Sequence, residues 1–579
     1  MGMAGEEVSV RVRIGQTLER LLLLGAAVYL AGCSQPEAPS EPGTGGSTAP
    51  AVHNVQAPPG ALHLVFAYGS EKKEWLKDVT DAFNQARHKT AGGKPIFVNA
   101  VPMGSGECVE DVLSGKLKAH LISPASAAFI KLANAESRTK TGKDLVGKTE
   151  NVVLSPVVIA MWKPMAEALG WGQKPIGWAE ILELVRKPEG WGAYGKAQWG
   201  QFKFGHTHPD YSNSGLISIF AEVYAATGKQ AGLTVQDVRD PRVAQFVGDI
   251  EKSVVHYGES TGFFGKKMFA NDPQYLNAAV LYENMVIESY NHKLPFPIVA
   301  VYPKEGTFWS DHPTGVVERE WVTAEHREAA KTYLEHLLAT PQQAKALQYG
   351  FRPASLEVKL ASPIDAAHGV DPREPQTVLE PPEADVMAAI REVWRANKKH
   401  ASIVLVADVS GSMKADNKIG HAREGALQLV RMLSDEDRFS LLAFNNRTMW
   451  ACKDLPLKTG RGQAESAVSS LMADGGTNLY GAVAEAYQQL VNDPKPGRIT
   501  ALVVLSDGAD TSQQMSLDQL LKQIAFDGET RTVRVFCIAY GKDAQLDVLE
   551  KISEATKAKA YKGGTDDIGR IFKEISTFF

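Results

Sequence analysis

Cysteine is scarce in this chain. Its 579 residues include four cysteines, at positions 33, 108, 452 and 537. Beyond Cys33 an odd number remains, so at least one is unpaired and no disulfide framework is implied. A surplus of basic charge is lacking too: 62 Lys and Arg stand against 67 Asp and Glu, a formal net charge of -5. Phosphate recognition rests on a basic face, so no nucleic-acid partner is expected. No apolar run approaches the ~20 residues that a membrane-crossing helix needs. Internal repeats are also absent. What is present is an ordinary globular composition, 44% hydrophobic and 22% charged. The chain is longer than one core sustains, since single cores seldom exceed ~250–300 residues, so several domains are expected.

The N-terminus has its own pattern. Residues 21–30 form a short apolar run behind Arg11, Arg13 and Arg20. That length suits the core of an export signal. The run ends in Leu30-Ala31-Gly32-Cys33, which resembles the lipobox of bacterial lipoproteins. The resemblance implies that residues 1–33 are a lipoprotein signal peptide and that the Cys33 thiol carries the lipid. Glu6, Glu7 and Glu19 depart from the pattern by diluting its positive charge. Residues 34–60 are rich in Pro, Ser, Gly and Ala and read as a flexible tether. The expected location is the cell membrane or outer membrane, lipid-anchored, facing the periplasm or the exterior. Ser34 follows Cys33 in place of the Asp that resembles an inner-membrane retention signal, which favours the outer membrane in a host that has one.

From Leu62 the pattern becomes α/β. Compact apolar runs at 62–68, 96–101 and 121–123 are each followed by small polar residues, and Trp75, Leu76, Val79 and Phe83 recur at helical spacing. Alternating strands and helices argue for a parallel sheet, with ligands beyond the C-terminal strand ends. A second linker is expected at 361–382, with several prolines. A helix should follow, with Val386, Ala389, Ile390, Val393 and Trp394 on one face. It leads into a very apolar strand at 402–407.

That strand ends in Asp408-Val409-Ser410-Gly411-Ser412, and a helix is expected from about Asn417. Asp474-Gly475-Gly476-Thr477 stands at another helix start, and the apolar run 501–505 leads into Ser506-Asp507-Gly508. If these strands are adjacent and parallel, two carboxylates and three hydroxyls converge. Such an all-oxygen set suits Mg²⁺ or Mn²⁺, with Ca²⁺ a further option. Hydroxyl ligands leave the ion poorly neutralised, ready for one more carboxylate from a partner. The segment resembles the von Willebrand factor A (VWA) family. Asp408, Ser410, Ser412, Thr477 and Asp507 match all five positions of that family's metal-ion-dependent adhesion site. The resemblance implies a Rossmann-like domain, here residues 383–579 with the preceding helix, built on a mostly parallel sheet with helices on both faces. It also places Cys452 on or near an edge strand and Cys537 beyond the central strands, too far apart to bond. A last strand near 558–562 and a closing helix to Phe579 are implied as well.

Residues 61–360 resemble bacterial extracellular solute-binding proteins, the two-lobed periplasmic-binding class. The resemblance rests on diffuse motifs: Tyr68-Gly69-Ser70, Gly104-Ser105-Gly106, Ser123-Pro124-Ala125-Ser126, the stretch from Ser155, Ser212-Asn213-Ser214-Gly215 and Tyr302-Pro303. It implies a cleft, with crossings between lobes near Ser155 and Tyr302. The ligand-binding candidates are Ser70, Ser105, Ser126, Ser155, Ser214, Tyr282 and Tyr302. Helix N-termini there can hold a small or anionic solute.

Enzyme motifs are weaker. Gly258-Glu259-Ser260-Thr261-Gly262 matches G-x-S-x-G, yet Phe263-Phe264-Gly265 is a poor helix start, so a loop is expected. His206 and His208 show no third metal ligand and read as a solvated loop or cleft edge. Glu283 and Glu288 read as cleft or solvated charges. Trp171, Trp178, Trp191 and Trp199 read as core and hinge packing. The chain is thus read as an anchored binding protein and not an enzyme, its VWA domain engaging an acidic residue of a protein partner. The alternatives are a solute receptor of an ABC-type transport system with the VWA domain as a docking appendix, and a serine hydrolase using Ser260.

Overall fold

The computed structural model describes residues 56–527, 532–565 and 567–579. The signal peptide, Cys33 and most of the tether lie outside the described residues. The larger domain has two lobes. In lobe one the strands run Ile96–Met103, Leu62–Gly69, Leu121–Ser123, Pro313–Val317, Val146–Asn151 across the sheet. The first three are parallel, and Pro313–Val317 is antiparallel to both neighbours. Lobe two is built on Val153–Trp162, which takes Ala278–Tyr282, Ile298–Val301, Trp309–Ser310 and Arg352–Pro353 as antiparallel partners. The chain crosses between lobes after Asn151, after Ser310 and a third time before Arg352. The first two crossings lie side by side, with the Val152 amide donating to the His312 carbonyl at 3.3 Å.

Residues 361–382 are packed along lobe two, although their composition suggests a linker. The Ala300 amide donates to Gly369 at 2.8 Å and the Leu379 amide to Thr307 at 2.8 Å. Ile364, Val370 and Leu379 are buried there. Prolines fix φ and remove donors, but they do not prevent a segment from lying in an apolar groove.

Helix Ala384–Asn397 follows. Its apolar face, Val386, Ala389, Ile390 and Trp394, is buried. It packs on helices Asn213–Thr227 and Pro241–Glu251, so this helix belongs with lobe two by its contacts. Trp394 meets the Tyr257 ring at 5.5 Å and the His208 ring at 5.0 Å, both edge to face. Arg391 and Arg395 both bond the Asp210 carboxylate, at 2.5–2.9 Å.

The C-terminal sheet runs Thr448–Pro456, Arg438–Phe444, Ala401–Asp408, Ile499–Ser506, Arg534–Tyr540, Ala560–Gly563. Only the edge strand Thr448–Pro456 is antiparallel. Ala401–Asp408 is buried at every position. Helices cover both faces, which is why the strand reads as a continuous apolar run. Ile403 and Leu405 join one core and Val404 and Val406 the other, as strand alternation requires. Cys108, Cys452 and Cys537 are buried and free.

The C-terminus closes the domain against lobe two. Phe578 packs on Phe536 at 4.7 Å and on His256 at 5.8 Å. The Tyr257 amide donates to the Phe578 carbonyl at 3.2 Å, and the Lys398 ammonium donates to the Phe579 carbonyl.

Asp210 gives this junction a pH dependence. Burial opposes its ionisation, but His208, Arg391 and Arg395 outweigh that and hold the carboxyl at about 2. A depressed carboxylate stabilises the fold above its unfolded value of ~3.9, and that contribution is lost as pH falls toward the folded value. Asp210→Asn is expected to cost on the order of 1–3 kcal/mol at pH 7, the scale of hydrogen bonds to charged groups. It should also flatten the fall in Tm between about pH 4 and pH 2. Thermal unfolding followed across pH checks both.

Candidate functional site

The strand Ala401–Asp408 ends at a buried carboxylate. Asp408 is 0% exposed. Its Oδ1 accepts the Ser410 amide at 2.8 Å, and its Oδ2 accepts the Ser506 hydroxyl at 2.7 Å. Burial raises the Asp408 carboxyl above the usual range despite those bonds from Ser410 and Ser506. The hydroxyls of Ser410 and Ser412 lie 3.0 Å apart, and Ser412 donates to Asp507 Oδ1 at 2.7 Å. This convergence follows from register. Ala407 stands opposite Leu505 in parallel strands, so both polar loops leave the same sheet end.

The third loop is held by backbone bonds. The Gly411 amide donates to Gly475 at 2.9 Å and the Asp474 amide to Val409 at 2.7 Å. Gly475 has φ of +82°, and a Cβ there would lie 2.3 Å from Asn446 Oδ1, so glycine is required. Thr477 is buried, and its amide donates to the Thr511 hydroxyl oxygen at 3.0 Å. The fold therefore gathers Asp408, Ser410, Ser412 and Asp507, and brings the loop that carries Thr477 beside them through the Gly411–Gly475 bond. The donors are all oxygen, the set a hard divalent cation takes. Sequence reasoning missed Lys418. This residue opens helix Lys418–Met432, and its buried ammonium donates to Asp507 Oδ2 at 2.7 Å. A cation already neutralises one of the two carboxylates.

In the larger domain the cleft residues satisfy one another across the lobes. Ser70 of lobe one accepts the Gly262 amide of lobe two at 3.2 Å. Ser126 donates to Asn213 Oδ1 at 2.5 Å, and Asn213 donates to the Tyr282 hydroxyl at 3.0 Å. Ser214 bonds Thr207 at 2.8 Å and Thr261 at 3.0 Å. Ser105 accepts the Ala125 amide at 3.0 Å. At the start of helix Ser105–Leu113 the Gly106 amide donates to the Tyr211 carbonyl at 2.8 Å. That helix start is thus occupied by a protein carbonyl. A Cβ on Gly106 would lie 2.1 Å from the Asp210 carbonyl oxygen, so the two backbones are in contact. An open cleft of about 620 Å³ remains outside this bundle. It is lined by Ser70, Lys73, Ser260 and Lys266, and also by Arg570 and Lys573 of helix Ile568–Ser576.

Other expectations change. Ser155 bonds Asn284 at 3.1 Å, beside the bundle. Tyr302 is engaged elsewhere, donating to Glu283 Oε2 at 2.5 Å. Glu283 is fully buried and is held twice by Arg352, at 2.8 and 2.6 Å, so it is neither a cleft nor a solvated charge. Ser260 does not sit in a loop but precedes helix Thr261–Phe269 as its N-cap. Burial of Phe264 and Met268 overrides the poor start that Phe263-Phe264-Gly265 suggests. The nearby His256 imidazole is committed to the Tyr257 carbonyl and the Tyr275 hydroxyl. His206 is 0% exposed, not solvated, and bonds Glu251 at 2.9 Å. Trp178 and Trp191 are core.

Residues 64–352 match the family described as bacterial extracellular solute-binding protein, and residues 401–561 match the von Willebrand factor type A domain. The chain therefore joins one domain of each family, in that order. The chain is 29% identical over 169 residues to inter-alpha-trypsin inhibitor heavy chain H4 of Sus scrofa. That match spans 28% of this chain but only 18% of the relative's length. Among solved structures, the sulfate-binding protein SubI of Mycobacterium tuberculosis H37Rv is similar over 53% of this chain and 92% of its own, at 18% identity and a TM-score of 0.36. A von Willebrand factor type A protein of Catenulispora acidiphila is similar over 31% of this chain and 42% of its own, at 23% identity and a TM-score of 0.28.

Two substitutions test these sites. Lys418→Gln removes a cation beside the oxygen cluster, and Mg²⁺ measured by calorimetric titration should bind on the order of tenfold tighter. Gly106→Ala forces the lobes apart. It is expected to destabilise by about 1–3 kcal/mol, as overpacking does, and to speed amide exchange at Ser105–Leu113.

Proposed function

We propose that this chain is a lipid-anchored, extracytoplasmic interaction protein. Its VWA domain holds Mg²⁺, or Mn²⁺ or Ca²⁺, through Asp408, Ser410, Ser412, Thr477 and Asp507, and docks a protein whose acidic residue completes the coordination. The supporting observation is the gathering of Asp408, Ser410, Ser412 and Asp507 in one hydrogen-bonded chain at the end of a parallel sheet. Hydroxyl donors carry no charge, and Lys418 cancels part of Asp507's, so a bound divalent ion keeps net positive charge. A carboxylate from outside is its natural complement. The membrane contact is through lipid on Cys33.

A second reading is a solute receptor of an ABC-type transport system. The open cleft of about 620 Å³ at the lobe edge favours it. A small or anionic solute would then have to compete with the bonds that now join the lobes.

Affinity capture decides between them. Detergent-solubilised full chain, wild type and Asp408→Ala, is used as bait in Mg²⁺ and in EDTA. The expected result is a protein retained by wild type in Mg²⁺ only and released by EDTA, with Asp408→Ala folded but inactive. If no protein depends on Mg²⁺ and calorimetry detects no Mg²⁺ lost with Asp408, the docking role is wrong.

A further inference from the structure

Lobe two contains a second cluster of metal-ligating groups, remote in chemistry from the oxygen site. His206 follows strand Phe204–Gly205, Glu222 sits in the middle of helix Asn213–Thr227, and Glu251 ends helix Pro241–Glu251. All three are 0% exposed. One ligand atom from each lies within 4.8 Å of the others.

Proton counting shows what is missing between them. His206 Nδ1 lies 2.7 Å from the Thr207 carbonyl, which can only accept, so Nδ1 carries a proton. In the neutral imidazole Nε2 then presents a lone pair, and it points at Glu251 Oε1 from 2.9 Å. Two lone pairs at that distance need either a proton or a metal ion between them. Glu222 brings a second carboxylate. Its Oε1 accepts the Ser218 hydroxyl at 3.0 Å, while its Oε2 is buried without a hydrogen-bond partner. Neighbouring ammonium groups do not fill this role. Lys399 donates to the Val254 carbonyl at 3.1 Å, and Lys398 donates to the Phe579 carbonyl.

A proton on His206 alone would leave one net negative charge buried, which is costly in a dry interior, and a second proton on Glu222 would be needed to remove it. A divalent cation bound by neutral imidazole and two carboxylates leaves none. The surroundings are those of a metal site: the imidazole donates its other N–H to a carbonyl, and each carboxylate is held by a hydroxyl. Tyr257 supplies the second of these, donating to Glu251 Oε2 at 2.5 Å. Metal–ligand bonds of about 2.0–2.2 Å put ligand atoms about 3–3.5 Å apart, so this trio closes with small side-chain shifts.

We propose that His206, Glu222 and Glu251 form a buried structural site for a divalent transition metal, with Zn²⁺ the best match to one nitrogen and two carboxylates once Glu222 offers both of its oxygens to fill the fourth position. Mixed nitrogen and carboxylate donors separate this site from the all-oxygen cluster at Asp408. It braces lobe two where other parts of the chain dock. Tyr257 meets Trp394, and its hydroxyl accepts the Lys399 amide at 3.3 Å. Its own amide donates to Phe578.

The test uses the full chain carrying Asp408→Ala, which silences the oxygen site. Protein is prepared by expression in Zn²⁺-supplemented medium and by refolding with Zn²⁺, then dialysed against EDTA. Metal is counted by mass spectrometry. Close to one Zn²⁺ per chain should survive dialysis, and adding Glu222→Gln should reduce this at least tenfold while circular dichroism is retained. Refolding without metal should lower Tm and speed amide exchange in the helix Ala384–Asn397. Absence of bound transition metal by both routes overturns the proposal, as does a Glu222→Gln chain that keeps one equivalent. Should Glu222→Gln fail to fold, Glu251→Gln and the metal count of the parent chain carry the same decision.

Discussion

The backbone bond from the Gly106 amide to the Tyr211 carbonyl brings the two lobes into direct backbone contact, and the loop that supplies this carbonyl touches each of the other described parts around it. Within residues 206–211, His206 faces Glu251, His208 packs on Trp394, Asp210 binds Arg391 and Arg395, and Tyr211 lies under the Lys573 ammonium at 5.2 Å. Lobe one, lobe two, the helix before the VWA domain and the helix that ends it therefore share one short segment. A loop with so many partners cannot relax around a substitution. The acid sensitivity expected of Asp210 and the strain expected at Gly106 are two views of the same constraint.

The two candidate metal sites differ because their surroundings differ. The oxygen cluster stands at the open end of a parallel sheet, where loops leave and an outside carboxylate can enter. The His206 cluster is enclosed between helices, with its polar atoms bonded to Thr207, Ser218 and Tyr257. Open coordination suits docking, and closed coordination suits bracing. Lys418 sharpens the contrast. It already neutralises part of the Asp507 charge, whereas the neighbouring ammonium groups of the buried trio donate to backbone carbonyls.

Much of this was legible in the sequence. Long apolar runs gave away the central strands of the VWA sheet, because burial on both faces removes the alternation that would confuse them with surface strands. The oxygen cluster could be read because its residues sit at strand ends, where position along the chain translates directly into position in the sheet. The His206 cluster could not, since its members are brought together only by tertiary packing. One signal existed: Glu222 is the one charge in the run Leu216–Tyr224, apolar but for it and Ser218, and a charge in the middle of a buried helix demands a partner. Glu283 carried the same signal beside Val280 and Leu281. Helix Thr261–Phe269 was misread because a weak local start was outweighed by burial of Phe264 and Met268. The segment 361–382 was misread because proline content marks irregular backbone, not exposure.

The closing helix Ile568–Ser576 touches both lobes, but unequally. On lobe one its contact is Lys573 with Glu110 at 2.7 Å, and Glu110 is 57% exposed. Such a pair is worth roughly 0–1 kcal/mol. On lobe two the C-terminus is buried, with Phe578 against Phe263 and His256 and with the Tyr257 amide bonded to its carbonyl. Full burial of an aromatic side chain is worth about 1.5–3 kcal/mol before its hydrogen bonds are counted. Any opening of the lobes therefore breaks the contact to lobe one first. The VWA domain would travel with lobe two, and the distance from its oxygen cluster to lobe one, rather than to lobe two, would report whether the cleft is open.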